Sequence, residues 1–277
     1  MSGSVLGYVD RPGALHRLSG VSKLVLVIGV VIGGMLTFDL RYLLALCVLS
    51  AVLWVVSRVR LRDLAVVLGF IAVFMTLNNL LIYVFAPQYG AELFGSRTVL
   101  VGLPGRWALT AEQLWYQASV TAKYVAILPS VLLFIATTRP PEFASSLHRL
   151  GVPYRIAYAV SLALRYIPEV QQEFLIISRA QQARGRDLSR AAPLRERIRN
   201  AVGVLVPLLL GTFERIETVA TAMELRGFGS GRGRTWYARR PLRVADGFVI
   251  ALGVLIAVVG ALMVVIDGGR FWNVFAA

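Results

Sequence analysis

Residues 64–86 read LAVVLGFIAVFMTLNNLLIYVFA, a run without a single charged side chain. As a helix it rises about 34 Å at 1.5 Å per residue, enough to cross a hydrocarbon core of ~30 Å. Four more runs almost free of charge lie at 24–38, 42–57, 120–137 and 247–266. The segments 24–38 and 42–57, taken alone, also suit buried helices of a soluble core. The runs at 64–86 and 247–266 are too long and too uniformly apolar for that. A mean hydropathy of +0.69, with 16% charged residues among 277, points the same way. The expected fold is an all-α integral membrane protein with about five transmembrane helices.

The net charge of +14 raises the question of nucleic acid, and its distribution answers it. Residues 1–23 carry Arg11, Arg17 and Lys23 against Asp10; the 58–63 turn carries three arginines against Asp63; residues 139–240 carry seventeen arginines against eight acids. The 39–41 turn, the 87–119 loop and the tail from 241 are each neutral. Basic and neutral segments alternate at each apolar run, which is the positive-inside pattern of a multispanning chain. The charge therefore reports topology, and no nucleic-acid partner is expected. The amino terminus, 58–63 and 139–240 are expected inside, with 39–41, 87–119 and the carboxyl terminus outside. Residues 1–23 hold no apolar signal-peptide core, so the first span is expected to serve as its own insertion signal. Cys47 is the single cysteine and falls mid-span, where it reads as a small packing residue.

Three regions follow from this reading: a membrane part at 1–137 with four spans, a cytoplasmic block of long amphipathic helices at 138–240, and a last span within 241–277. Within the block, Pro140 and Pro141 end the preceding helix. A short helix through EFASSLHRL is expected to stop at Gly151. From Tyr154 a long amphipathic helix is expected, with a bend at Pro168. A second, starting near 191–195 and bending at Pro207, carries the apolar stripe Ile198, Val202, Leu205, Leu209, Phe213, Ile216, Ala220 and Met223. The glycine-rich FGSGRGR at 228–234 has neither a preceding strand nor a following GK[ST], and reads as a basic linker.

Each long helix is expected to stop in Arg-Gly. Residues 179–187 read RAQQARGRD and residues 221–229 read TAMELRGFG, which aligns Ala180 with Ala222, Arg184 with Arg226 and Gly185 with Gly227. Glycine after a helix enters the left-handed region without a Cβ clash, and arginine in the last turn opposes the helix dipole. Those facts describe two well-stopped helices. The matched flanks add a second reading: an arginine held at a helix end is a projecting knob, able to make bidentate contacts in a partner's groove.

With these motifs the chain resembles the transmembrane T component of energy-coupling factor (ECF) transporters. LHRLSGVSKL at 15–24 is near that family's LHRLDPRTKL pattern, and the likeness is strongest in PPEFASSLHRLGVPYRIAYAVSLALRYIPEVQQEFLIISRAQQARG (140–185) and AMELRGFG (222–229). The resemblance implies a non-enzymatic coupling subunit, without a cofactor, for uptake of a vitamin or transition-metal ion. Its implied partners are two ABC-type ATPase subunits, a small substrate-binding membrane subunit and the lipid bilayer. It further implies that Ala183, Arg184 and Gly185, with Leu225, Arg226 and Gly227, enter grooves of the two ATPases; Leu225 replaces the commoner alanine. Two other classes stay open: a conventional ABC permease with its own substrate path, and a membrane-bound transferase.

The remaining polar residues suggest structural roles. Asn78 and Asn79 are the strongly polar pair inside a span and are expected to join helices. Glu169, Glu173, Glu214 and Glu217 are expected to pair with Arg165 and Arg215. His16 and His148 lack metal-ligand spacing and are expected at the membrane interface, and Gly253, Ala257, Gly260 and Ala261 give the last span a small face for close packing.

Overall fold

Polar residues at the borders of the apolar runs set where the helices begin. Ser19 accepts from the Val21 N–H, Asp39 from the Arg41 N–H and Thr110 from the Gln113 N–H, each satisfying a donor that a helix start leaves open. The computed structural model describes residues 13–102, 107–186, 193–229, 236 and 240–275. Among these, α1 (Ala14–Arg17), α2 (Gly20–Leu36) and α3 (Leu40–Ser57) precede a 3-10 turn at Leu61–Leu64 and α4 (Ala65–Phe85). Then come α5 (Tyr89–Phe94), β1 (Val99–Val101), β2 (Leu109–Thr110), α6 (Ala111–Thr137), α7 (Pro140–Arg149), α8 (Tyr154–Ala183), α9 (Leu194–Leu225) and α10 (Val244–Ile266). The fold is all-helical apart from one short antiparallel ribbon of β1 and β2. Helix α3, the turn with α4, α6 and α10 are long and apolar enough to cross a membrane, and α2 is a shorter apolar helix.

The chain forms two compact units, Met1–Phe143 with Arg240–Ala277, and Ala144–Arg239. In the first, α2 and α10 run parallel, because Ser22 meets Asp246, Gly29 meets Gly253 and Gly33 meets Ile256 and Gly260. The glycines let the two backbones touch: a Cβ on Gly253 would lie 2.8 Å from the Leu26 Cα, and one on Gly260 2.7 Å from the Gly33 Cα. The expected small face is therefore present in Gly253 and Gly260, whereas Ala261 is exposed. The opposing Gly29 and Gly33 were not anticipated. Asn79 does join helices, its amide donating to the Thr121 Oγ1 (3.1 Å) and its carbonyl accepting from Gln117, which ties α4 to α6. Asn78 Oδ1 is buried with no donor among the described residues. Cys47 is half-buried, its Sγ 3.3 Å from the Ala122 carbonyl.

One expectation changes, and one segment takes a role that no local pattern announces. Helix α6 starts at Ala111 rather than 120, because Glu112 and Gln113 are buried helix residues, not loop residues. Glu112 accepts from the Thr98 N–H at 2.8 Å and from Ser96, and Gln113 accepts from the Gly90 N–H. Polar residues satisfied by a neighbouring loop look like loop in a linear reading. The residues after α10 also do more than trail away. Phe271 stacks on Phe38 at 4.5 Å, the Arg41 guanidinium lies 3.7 Å over Trp272, and Trp115 meets Trp272 edge-on. Arg41 also bridges Asp39 at 2.9 Å and Asp267 at 3.5 Å, so this segment closes over the ends of α2, α3 and α6.

At the opposite end, buried Asp246 accepts from the Ser19 N–H and the Ser22 hydroxyl, both at 2.7 Å, and from the Arg243 N–H. Asp246→Ala leaves these donors without an acceptor, at ~1–3 kcal/mol for each that stays buried. The expected result is a melting midpoint in detergent lowered by about 5–10 °C, with Asp246→Asn losing less; an unchanged midpoint would refute the role.

Candidate functional site

Both arginines stand where the helix-end chemistry demands, and both ends are built alike. Arg184 caps α8 at φ −87°, ψ 13°, and Arg226 caps α9 at φ −87°, ψ 12°. Gly185 and Gly227 follow in the left-handed region at φ 80° and 64°. The Arg186 N–H donates to the Gln181 carbonyl (3.0 Å) and the Gly185 N–H to Gln182 (2.9 Å). In the second motif Phe228 donates to Met223 (2.9 Å) and Gly227 to Glu224 (2.8 Å). This is the double 6→1 and 5→2 pattern of a Schellman cap at each end. Ala183, Arg184, Gly185, Leu225 and Arg226 are all exposed, Leu225 by 85%. The backbone is locked by its own hydrogen bonds, so each arginine is presented from a fixed point.

The two ends differ in what backs them. Phe228 packs on Tyr158 (4.9 Å) and Tyr154 (6.0 Å), and Tyr154 on Trp236 and His148, so an aromatic cluster supports the Arg226 end. His148 thus packs in this cluster, its Nδ1 3.0 Å from the Val152 carbonyl. Behind Gly185, the Arg186 guanidinium lies over Gly203, and Gln181 donates to the Gly203 carbonyl at 3.2 Å. Sequence reading missed the cluster; Phe228 directly after Gly227, where a Schellman cap takes an apolar residue, was the available signal.

Helices α8 and α9 lie antiparallel. Gln181 meets Gly203, Glu173 meets Gly211, and Arg215 bridges Glu169 (2.8 Å) and Glu173 (3.3 Å). The Arg215 pairings are those expected. Among the described residues Arg165 makes no such pair, and it lines a pocket of about 420 Å³ with Arg226, Tyr154 and Tyr158. Arg184 therefore sits beside the start of α9 and Arg226 at its end. At 1.5 Å per residue the two tips are about 35–40 Å apart. Antiparallel helices with equivalent ends have an approximate twofold relation, and Glu173 and Arg215, which touch, are equivalent positions in it.

Pro168 and Pro207 lie inside continuous helices. The apolar stripe of α9 does not pack as a core. Ile198, Val202, Leu205, Leu209, Phe213 and Ile216 are exposed, while Val204 and Leu208 are buried. The face towards α8 includes Gly203, Gly211 and Arg215, and the later stripe residues Ile216, Ala220 and Met223 line a cavity with Leu162, Tyr166 and Val170 of α8. Residues 230–234 of the glycine-rich linker lie outside the described residues. No three His, Cys, Asp or Glu side chains gather as metal ligands among those described.

Residues 13–237 match the family described as CbiQ, cobalt transport protein. Similar proteins include three energy-coupling factor transporter transmembrane proteins EcfT. That of Listeria innocua is 30% identical over 92% of this chain and 96% of its own length. That of Bacillus selenitireducens is 30% identical over 90% and 92%. For the Exiguobacterium sibiricum protein the identity is 34% over 60% of this chain and 64% of the relative, so that match spans just under two thirds of its length.

Proposed function

The chain belongs to the cobalt transport protein (CbiQ) family, and from that premise we propose that it is the membrane coupling subunit of an ECF-type importer. The observation that carries the reading is the pair of equivalent Schellman ends, which hold Arg184 and Arg226 exposed at opposite ends of one antiparallel helix pair. Two equivalent knobs about 35–40 Å apart suit two equivalent sockets, as a twofold pair of ATPases offers. In this reading Ala183, Arg184 and Gly185 seat in one ATPase, and Leu225, Arg226 and Gly227 in the other. Closure of the ATPase pair moves the helix ends, and α8 and α9 transmit that motion to a small substrate-binding membrane subunit, releasing a vitamin or metal ion inside. The chain itself is the non-catalytic component.

The supporting charge pattern is geometric. The start of α2, the end of α3, the start of α4, the end of α6 and the start of α10 share one end of their unit, with Arg17, Arg58, Arg60, Arg62, Arg139 and Arg240 around it. By the positive-inside rule that end is cytoplasmic. We assign 138–240 to a cytoplasmic coupling domain between membrane parts 1–137 and 241–277, with the carboxyl terminus outside. The test is purification from cells that express the neighbouring subunits. Two ATPases and one small membrane protein are expected to co-purify; recovery of the chain alone, in fully active form, would overturn the reading.

The exposed stripe of α9 supplies a second test. Contiguous apolar surface of this extent marks an interaction face, and we assign it to the substrate-binding subunit or the membrane interface. Cysteines at Leu205, Leu209 and Phe213 are expected to be shielded from a polar thiol reagent in the full complex and several-fold more reactive without the substrate-binding subunit. Equal rates in both states would remove the partner from this surface.

A further inference from the structure

The membrane unit holds a cavity that the coupling role does not use. It measures about 410 Å³ and lies among α1, α2, α3, α6 and α10 at their basic end. Its depth is apolar, with Leu26, Val30, Leu53 and Leu133 among the lining residues, and its outer lip includes the exposed Val56 and Leu252. Three cations line the same cavity: Arg17, Lys23 and Arg243. Arg17 and Arg243 are exposed. The Lys23 ammonium gives one hydrogen bond, 2.7 Å to the Thr137 carbonyl, of the three that it can donate.

An apolar slot with a cationic mouth is complementary to one class of molecule present wherever this chain resides. We propose that the cavity binds an anionic phospholipid from the leaflet at the basic end. One acyl chain enters between α2, α3, α6 and α10, and the headgroup phosphate meets Arg17, Arg243 and Lys23. Basic pockets between transmembrane helices select anionic headgroups in this way, and a cavity of a few hundred cubic ångströms is in the range that encloses a small apolar ligand. A zwitterionic lipid offers the same chain and the same phosphate, but its quaternary ammonium brings a further positive charge to a mouth already lined by Arg17, Lys23 and Arg243. Free phosphate offers the charge but leaves the slot unfilled.

The lipid also has a structural place to act. The α1 segment and the starts of α2 and α10 all border the cavity, and Asp246 ties those starts together. An occupant wedged below the tie braces the parallel pair on the side that protein does not fill.

The test uses the full chain purified in mild detergent, with dioleoyl phosphatidylglycerol, dioleoyl phosphatidylcholine or inorganic phosphate added, read by native mass spectrometry and by melting midpoint. Phosphatidylglycerol is expected to give a one-to-one adduct at least fivefold more abundant than phosphatidylcholine, and to raise the midpoint; phosphate alone gives neither. Arg17→Gln/Arg243→Gln is expected to remove the preference between the two lipids, with each lipid's shift read against the variant's own lipid-free midpoint. Val27→Phe, which fills the slot, is expected to lose the adduct with the charges intact. Equal adducts for both lipids on the wild-type chain would overturn the proposal, as would stabilisation by phosphate alone or an unchanged preference in the arginine variant. A Val27→Cys thiol shielded only when partner subunits are present, and never by phosphatidylglycerol, would give the slot to a protein helix and overturn it equally.

Discussion

The Arg184→Glu/Arg226→Glu double variant is expected to reach the membrane at wild-type levels, recover no ATPase on purification and transport at background rate. Both positions are exposed caps at helix ends, and the Schellman hydrogen bonds that fix those ends use backbone atoms only, so both helix ends stay formed when the side chains change. Binding loses a great deal. Truncating one hydrogen-bonded interfacial charge costs ~2–5 kcal/mol, which is roughly 30- to 4,000-fold in affinity at 1.4 kcal/mol per factor of ten. A carboxylate in its place adds repulsion against acids in the socket. Each single variant keeps one knob and is expected to retain one contact and transport poorly. Arg179→Glu, on the exposed side of α8, makes the same charge change away from the tip and is expected to behave as wild type. Arg190 and Arg232, charge controls from the linkers, lie outside the described residues. Normal uptake with normal ATPase recovery in the double variant would end the coupling role for these two residues.

Gly29→Leu and Gly253→Leu are expected to abolish recovery of folded protein, as measured by the monodisperse fraction in size-exclusion chromatography. A Cβ at Gly29 would fall on the Gly253 carbonyl, and a Cβ at Gly253 would meet the Leu26 backbone at 2.8–3.0 Å. Backbone on both sides leaves no flexible side chain to move, so α2 and α10 must separate. Overpacking a core typically costs ~1–3 kcal/mol. Here the whole seam opens, including the bond from the Tyr42 hydroxyl to the Ile256 carbonyl at 2.8 Å and the buried Asp246 tie. Recovery is expected to fall at least tenfold. Gly69→Leu, in α4 with no atom within 4 Å of the added Cβ, is expected to leave it unchanged. If Gly29→Leu and Gly69→Leu were recovered equally, the glycine seam would not hold the two helices together.

A charged pair within the first unit shows what one dimension conceals. Arg240 Nη2 lies 2.8 Å from Glu142, and its Nη1 donates to the His16 carbonyl at 2.6 Å. These residues border the two places where the chain leaves the membrane unit, 143 and 240. In the sequence they are ninety-eight positions apart, and nothing in their local patterns relates them.

The sequence by itself determined the membrane class, the apolar helices, the neutral and basic ends and the two Arg-Gly stops. Each of these depends on a local rule: charge-free length, loop charge, or a glycine's access to the left-handed region. Only the tertiary structure decided which apolar face of α9 packs, that α6 begins among buried acids and amides, and that α10 returns to lie parallel on α2 through facing glycines. Those outcomes depend on distant partners. A face is core only if another helix covers it, Glu112 is helical interior only because Thr98 and Ser96 satisfy it, and a glycine is a contact only when a second backbone arrives opposite. Periodicity reports which residues avoid water, and three-dimensional contact decides what shields them.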